Sequence, residues 1–166
     1  MTEGEFLSKA VFAAHKAGHV WPDFAACEAA LESAWGGSAL AVQANNLFGQ
    51  KQAHPPAAGT ETMEMPTREF VRDAWVTVPA QWVKFADWDA CFAERMRLLG
   101  ALAGRYPHYA EALIAKTGAG YVTAVSKSWS TDPERAAKVL AIHRQHFGAD
   151  GAVEDSVINE IRAVAA

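Results

Sequence analysis

Apolar residues near the start of the chain recur at spacings of three and four. Phe6, Leu7, Ala10, Val11 and Ala14 share one stripe, which predicts an amphipathic helix over 3–17, with Gly18 suited to its C-cap. Pro22-Asp23 opens a second predicted helix, 22–34, with Phe24, Cys27, Leu31 and Trp35 to one side, and Gly36-Gly37 breaks it. Ser38 can cap a short third helix over 38–44. Between 48 and 84 the pattern changes. Prolines 55, 56, 66 and 79 and glycines 49 and 59 punctuate it, and "AWVTVPAQWVKF" is rich in valine and tryptophan. That composition predicts a small β-hairpin or three-stranded lobe, entered through a polar loop at 50–60. Helical spacing returns over 87–104, where Trp88, Phe92, Met96 and Leu99 fall in line behind Asp87 as N-cap. Two shorter helices are predicted over 109–116 and 119–128. Thr131-Asp132-Pro133 reads as the start of another, with Thr131 as cap, running to Phe147 and ended by Gly148. A last amphipathic helix is predicted over 153–165. The expected architecture is mainly α: a single domain over 1–166 with one β-lobe inserted at about 50–84.

Composition narrows the classes of function. Of the 166 residues 51% are hydrophobic and 20% charged, enough apolar content for a packed core. The formal net charge of -4 leaves no electrostatic footprint for nucleic acid or an anionic membrane surface. Apolar runs stop far short of the ~18–20 residues of a membrane span, so no membrane insertion is expected. The N-terminus carries Glu3 and Glu5 and no long apolar core, because Lys9, His15 and Lys16 interrupt it. No signal peptide is expected, and synthesis in the cytoplasm follows. Cys27 and Cys91 read as small buried hydrophobes. Neither an HExxH nor a CxxC pattern occurs, and no metal or cofactor is expected. His143 and His146, near a helix end, read as solvated histidines.

The candidate chemistry lies in "LESAWGGSALAVQANNLFGQK", residues 31–51. Glu32 sits late in its helix, where the macrodipole disfavours an anion, and has few polar neighbours in sequence. Both features favour a protonated carboxyl, which a general acid requires. Glu28 is one turn earlier, a neighbour at i, i+4, and two like charges there favour holding one proton. The glycines after Glu32 allow a bulky ligand to approach the backbone. An ordinary surface glutamate on a helix remains the alternative at this level.

"AALESAWGGSALAVQANNLFGQK" closely resembles the catalytic segment of the glucosaminidase family of peptidoglycan hydrolases, glycoside hydrolase family 73. The family pattern is roughly AQ-A-x-LES-x-WG-x-S followed by NLFG-x-K. Residues Ala26 to Ser33, Trp35, Gly36, Ser38, Asn46 to Gly49 and Lys51 carry the match. "WSTDPERAAKVLAIHRQH" resembles the family's YATDP-x-YA-x-K-x-x-x-I segment, and "VKFADWDACFAERMRLL" resembles a third. The resemblance spans about 26 to 146. It implies a lysozyme-like helical domain with a small mobile β-hairpin lobe over a substrate groove. It implies hydrolysis of the β-1,4 bond after N-acetylglucosamine in peptidoglycan glycan strands, with Glu32 as general acid. Asn46 would help shape the groove floor, Phe48 would pack beneath it, and Trp35 would stand beside the sugar groove.

The second carboxylate of such enzymes lies, by the same resemblance, in the β-lobe. There Met65-Pro66-Thr67-Arg68-Glu69 makes Glu69 the match, with Glu61 and Glu64 as rivals. Glu69 would activate water or stabilise the oxocarbenium charge. Two departures stand out. Trp129 replaces the tyrosine of YATDP, keeping a stacking face but losing a phenol that substrate-assisted cleavage would use; Tyr121 and Tyr109 are the candidates to supply a hydroxyl from nearby. Glu28 stands where the family has glutamine. The alternatives are an N-acetylmuramidase or lytic transglycosylase on the same fold, or a non-catalytic wall-binding or structural module. A monomer is expected, a phage lysin released by a holin or a domain of a larger protein.

Overall fold

A computed structural model describes residues 1–53, 59–71 and 74–148, with backbone alone at 68–71. The helix expected over 153–165 lies outside the described residues. Seven helices and one hairpin are found within them, in the order α1 (Glu3–Lys16), α2 (Pro22–Ser33), α3 (Ala39–Ala44), β1 (Thr62–Val71), β2 (Ala74–Val83), α4 (Trp88–Leu102), α5 (Pro107–Leu113), α6 (Gly118–Trp129) and α7 (Arg135–Phe147).

Local chemistry starts most of the helices. Thr2 and Glu5 form a capping box, Thr2 Oγ1 accepting from Glu5 N at 3.2 Å and Glu5 Oε2 from Thr2 N at 2.7 Å. Ser38, Asp87 and Thr117 accept from the backbone of Ala41, Ala90 and Gly120. Thr131, expected as a cap, is not one. In that turn Ser130 Oγ accepts from Asp132 N and Asp132 Oδ1 from Glu134 N, so α7 begins only at Arg135.

Helix α2 is the centre of the body. Its residues Phe24 to Ala30 are all buried, and it packs against α1, α6 and α7. Such all-round burial explains why no single apolar stripe describes it. His143 is not solvated as expected. It is 6% exposed, its Nε2 lies 2.6 Å from Asp23 Oδ2, and its ring stacks on Phe24 at 3.7 Å. His146 lies 3.2 Å from Glu3 and edge-on to Trp35. Cys27 and Cys91 are free and fully buried, and burial pushes the Cys91 thiol up to about 12. No described helix is long and apolar enough to cross a membrane.

Phe24 also closes against the start of α6. A methyl group added at Gly118 would run into its ring, which His143 already covers on one face. Gly118→Ala is therefore expected to lower stability by about 1–3 kcal/mol, as overpacking does. A thermal melt checks it, and an unchanged midpoint would show that Phe24 can swing aside.

The lobe is a two-stranded antiparallel ribbon, with Thr62 opposite Val83 and Val71 opposite Ala74. Pro66 faces Pro79, neither of which can donate to the ladder. Both strands are edges, the setting in which strand prolines are tolerated. A lone hairpin is marginal in water, so its anchorage to the body matters. Val83 N donates to Gln50 O at 3.0 Å, Gln52 N to Gln81 O at 2.9 Å and Phe85 N to Ala44 O at 2.8 Å. The segment after α3 thus stitches the lobe base to the helical body.

Candidate active site

Where lobe and body meet, a groove of about 500 Å³ opens. Glu32, Phe48, Trp82, Tyr109 and Trp129 line it, Trp82 coming from the lobe and the rest from the body. Among the described residues, Glu32 is the carboxylate on its wall. Its side chain is 26% exposed, Oε1 accepts from Arg135 Nε at 2.7 Å, and Oε2 has no partner among the described residues.

Glu28 has a different fate. It is fully buried, and Arg95 Nη2 at 3.0 Å and Arg135 Nη2 at 2.9 Å both donate to its Oε1, while the Tyr121 hydroxyl donates to Oε2 at 2.7 Å. Burial opposes its charge, but the two guanidiniums and these hydrogen bonds hold the carboxyl below its ordinary range. The proton sharing expected between Glu28 and Glu32 is therefore corrected. Glu28 belongs to a buried ionic cluster, not to the groove. Burial, then Glu28, push the Tyr121 phenol up. Tyr121 is 2% exposed and spends its hydroxyl on Glu28, so it is not the substrate-facing residue expected. Burial and then Arg95 bring His19, behind the cluster, down to about 4.

Asn46 is 1% exposed. Its Nδ2 donates to Gln50 O and Val83 O, both at 2.9 Å, and its Oδ1 accepts from Gln50 N at 2.9 Å. It braces the loop that carries Phe48 to Lys51 and does not touch the groove itself. Phe48 packs edge-on to Phe92 and Trp129 and forms part of the groove floor. Trp129 lies over the Arg95 guanidinium, 3.3 Å from Cζ to ring centroid. This fixes one face of the indole and leaves an aromatic wall for a sugar. Trp35 packs on Phe6 and His146 and is not among the groove-lining side chains.

The turn after Glu32 explains the glycines. Ala34, Trp35 and Gly36 have φ of 50°, 57° and 75°, a left-handed run that costs the two side-chain-bearing residues and suits glycine. Ser33 stabilises it: its Oγ accepts from Gly36 N at 2.8 Å and its carbonyl from Ser38 N at 2.9 Å. A Cβ at Gly36 would stand 3.2 Å from the Phe6 ring. Gly36 thus serves internal packing, not the approach of a ligand.

Glu69 pairs with Val76 in the ribbon, and its side chain lies outside the described residues. Of its rivals, Glu61 lies 3.7 Å from Lys84 and Glu64 accepts from Gln81 at 3.1 Å. Trp82, Arg95 and Arg135 join the site although no motif singles them out. A signal for Arg135 existed: it is a cation at the start of a helix, against the macrodipole, where the family's pattern has a second tyrosine.

A helical body, a hairpin lobe, and between them an aromatic groove with a carboxylate on its wall: this is the architecture of a lysozyme-like glycoside hydrolase domain. The family model described as mannosyl-glycoprotein endo-beta-N-acetylglucosaminidase matches residues 8–147, and the chain belongs to this glucosaminidase family. Exo-glucosaminidase LytG of Bacillus subtilis (strain 168) is 31% identical over 129 residues, 75% of this chain and 43% of that protein. The chain thus spans less than half the length of that relative. Among solved structures, the catalytic domain of the autolysin Auto from Listeria monocytogenes superposes with a TM-score of 0.72 at 22% identity, covering 87% of this chain and 84% of that one. A glycoside hydrolase domain of FlgJ from Salmonella typhimurium gives 0.69 at 23% identity, covering 90% and 100%. At such identities the superpositions speak for a shared fold.

Proposed function

We propose that this chain is a single catalytic domain, acting as a monomer on the cell wall, that hydrolyses the β-1,4 bond after N-acetylglucosamine in peptidoglycan glycan strands. The observation that carries the reading is the Glu32 carboxyl on an aromatic-walled groove, one oxygen anchored and the other unpartnered among the described residues. Glu32 acts as general acid. The O–H bond at its carboxyl breaks, the proton passes to the glycosidic oxygen, and the bond from that oxygen to the sugar carbon breaks with the electron pair leaving on oxygen. Water then supplies the hydroxyl at the sugar carbon, and Glu32 regains a proton. Trp129 and Trp82 offer faces on which sugar rings stack.

Glu69 takes the second role, activating the water or stabilising the oxocarbenium charge. Register supports it over Glu64. Positions 63, 65, 67 and 69 share one ribbon face by the two-residue period of a strand, and Met63 is opposite the groove-lining Trp82, whereas Glu64 falls on the other face. Glu69→Gln is expected to lower the rate by less than the ~10²–10⁴-fold typical of general acid–base catalysis, because the substrate's acetamide covers part of its role. Steady-state rates on solubilised glycan strands check this; full activity would move the role elsewhere.

The bond itself is tested by digesting purified peptidoglycan and identifying the new chain ends by mass. New reducing N-acetylglucosamine ends are expected. Reducing N-acetylmuramic acid would make the domain a muramidase, and anhydro-sugar ends a transglycosylase.

A further inference from the structure

We propose that Arg135 is a positioning residue of this centre, holding Oε1 of Glu32 so that Oε2 is the oxygen presented to the glycosidic bond. The inference rests on the reading of Glu32 as the acid. Glutamate has three rotatable side-chain bonds, and Glu32 stands at the edge of the body near the end of α2, where packing alone leaves it free to turn. A reacting carboxyl displaced by about an ångström loses rate steeply.

Arg135 removes that freedom. Its three nitrogens serve three acceptors on two other helices: Nε donates to Glu32 Oε1 at 2.7 Å, Nη2 to Glu28 Oε1 at 2.9 Å and Nη1 to Ser126 Oγ at 2.8 Å. The residue is 1% exposed, so nothing around it yields to solvent. The guanidinium is planar, and fixing two of its donors on Glu28 and Ser126 dictates where the third points. Glu28 is itself held from the far side by Arg95 and by Tyr121. Arg95 in turn lies under Trp129. One buried carboxylate therefore ties the acid and the aromatic wall of the groove to a single rigid hub.

The placement also runs against ordinary helix chemistry. Arg135 is the first residue of α7, the end that disfavours a cation. Burial disfavours its charge too, and Glu28 and Glu32 hold it in place. A buried ion cluster of this kind is a poor way to add stability. It is an effective way to fix a carboxylate in one orientation.

Arg135→Lys tests this. An ammonium keeps the charge but lacks the planar fork, so Oε1 loses its fixed donor. On a soluble tetrasaccharide of alternating N-acetylglucosamine and N-acetylmuramic acid, kcat is expected to fall roughly 10²-fold. KM should stay within about threefold, since ground-state binding is untouched. Ser126→Ala, which removes only the Nη1 acceptor, is expected to lower kcat about fivefold, also at unchanged KM. Folding is verified by thermal melt, and Glu32→Gln is measured alongside. A folded Arg135→Lys with kcat within about twofold of the parent, or with KM raised and kcat unchanged, overturns the inference. If Arg135→Lys does not fold, Ser126→Ala decides on the same criteria. An active Glu32→Gln overturns the acid assignment and this inference together. An inactive Glu32→Gln beside unimpaired Arg135→Lys and Ser126→Ala overturns the inference alone.

Discussion

Glu32→Gln is expected to lower glycan cleavage by about 10²–10⁴-fold while the fold persists, the range a positioned general acid contributes. The amide keeps the length and shape of the side chain, and its carbonyl oxygen can still accept from Arg135 Nε, the bond that Glu32 Oε1 makes at 2.7 Å. What it lacks is a transferable proton. The side chain is 26% exposed and Arg135 keeps Glu28 at 2.9 Å, so the substitution leaves no sealed cavity and no isolated ion. A thermal melt close to the parent's, together with release of reducing ends near background, is the expected pair of results. Release at the parent's rate would remove Glu32 from the reaction.

The largest effect on stability is expected one helical turn away. Glu28→Gln should destabilise the protein by roughly 3–5 kcal/mol, the usual result of removing one partner from a buried ion pair. For a chain of this size that is a fall in melting midpoint of roughly 6–20 °C. Glutamine occupies this position in the family's pattern, so the change looks conservative. Here it would leave Arg95, at 0% exposure, with no compensating charge among the described residues, and Arg135, at 1%, with Glu32 alone. Arg95 already has Nε and Nη1 without hydrogen-bond partners among the described residues, which makes its hydrogen bond to Glu28 harder to lose.

The same residue shapes the acid limb of the parent's stability. The Glu28 pKa is lowered in the folded state from an ordinary 4.5, so its contribution is present above that value and is lost as pH falls below it. His19 adds an earlier decline. With its folded value near 4 against an ordinary 6.5, the unfolded chain binds more protons between them, and stability drops as pH falls through that window. The parent should lose melting midpoint from about pH 6.5 downward and faster below about 4.5, whereas Glu28→Gln should lack the second, steeper part. Parallel curves for the two proteins would show that Glu28 does not carry the acid limb.

Much of the architecture was legible because it is written in short-range chemistry. Ser38 and Asp87 announce their helices within three residues, and the valine- and tryptophan-rich run from Trp75 to Val83 announces strands. The glycines after Trp35 were recognised as a break, but their reason was not. The Phe6 ring that crowds Gly36 comes from another helix. Thr131 failed as a cap because Ser130 and Asp132 took the turn's free amides first. The histidines near the end of α7 were read as solvated because nothing local reveals that Asp23 and Phe24, far back in the chain, close over His143.

The candidate acid shows the same division. A glutamate before a glycine break, within the LESAWGG segment, was evident from the residues and their resemblance to a family. By itself the sequence determined the helices, the hairpin, the family and the segment that carries the candidate acid, since each depends on neighbours a few positions apart or on a contiguous motif. It did not assign a role to Glu28, one turn before Glu32 on the same helix. Only the tertiary structure decided that, by bringing Arg95 and Arg135 to Glu28 from 67 and 107 positions away. A carboxylate becomes a buried anchor or a groove-facing acid according to the charges folded against it, and those charges come from distant parts of the chain.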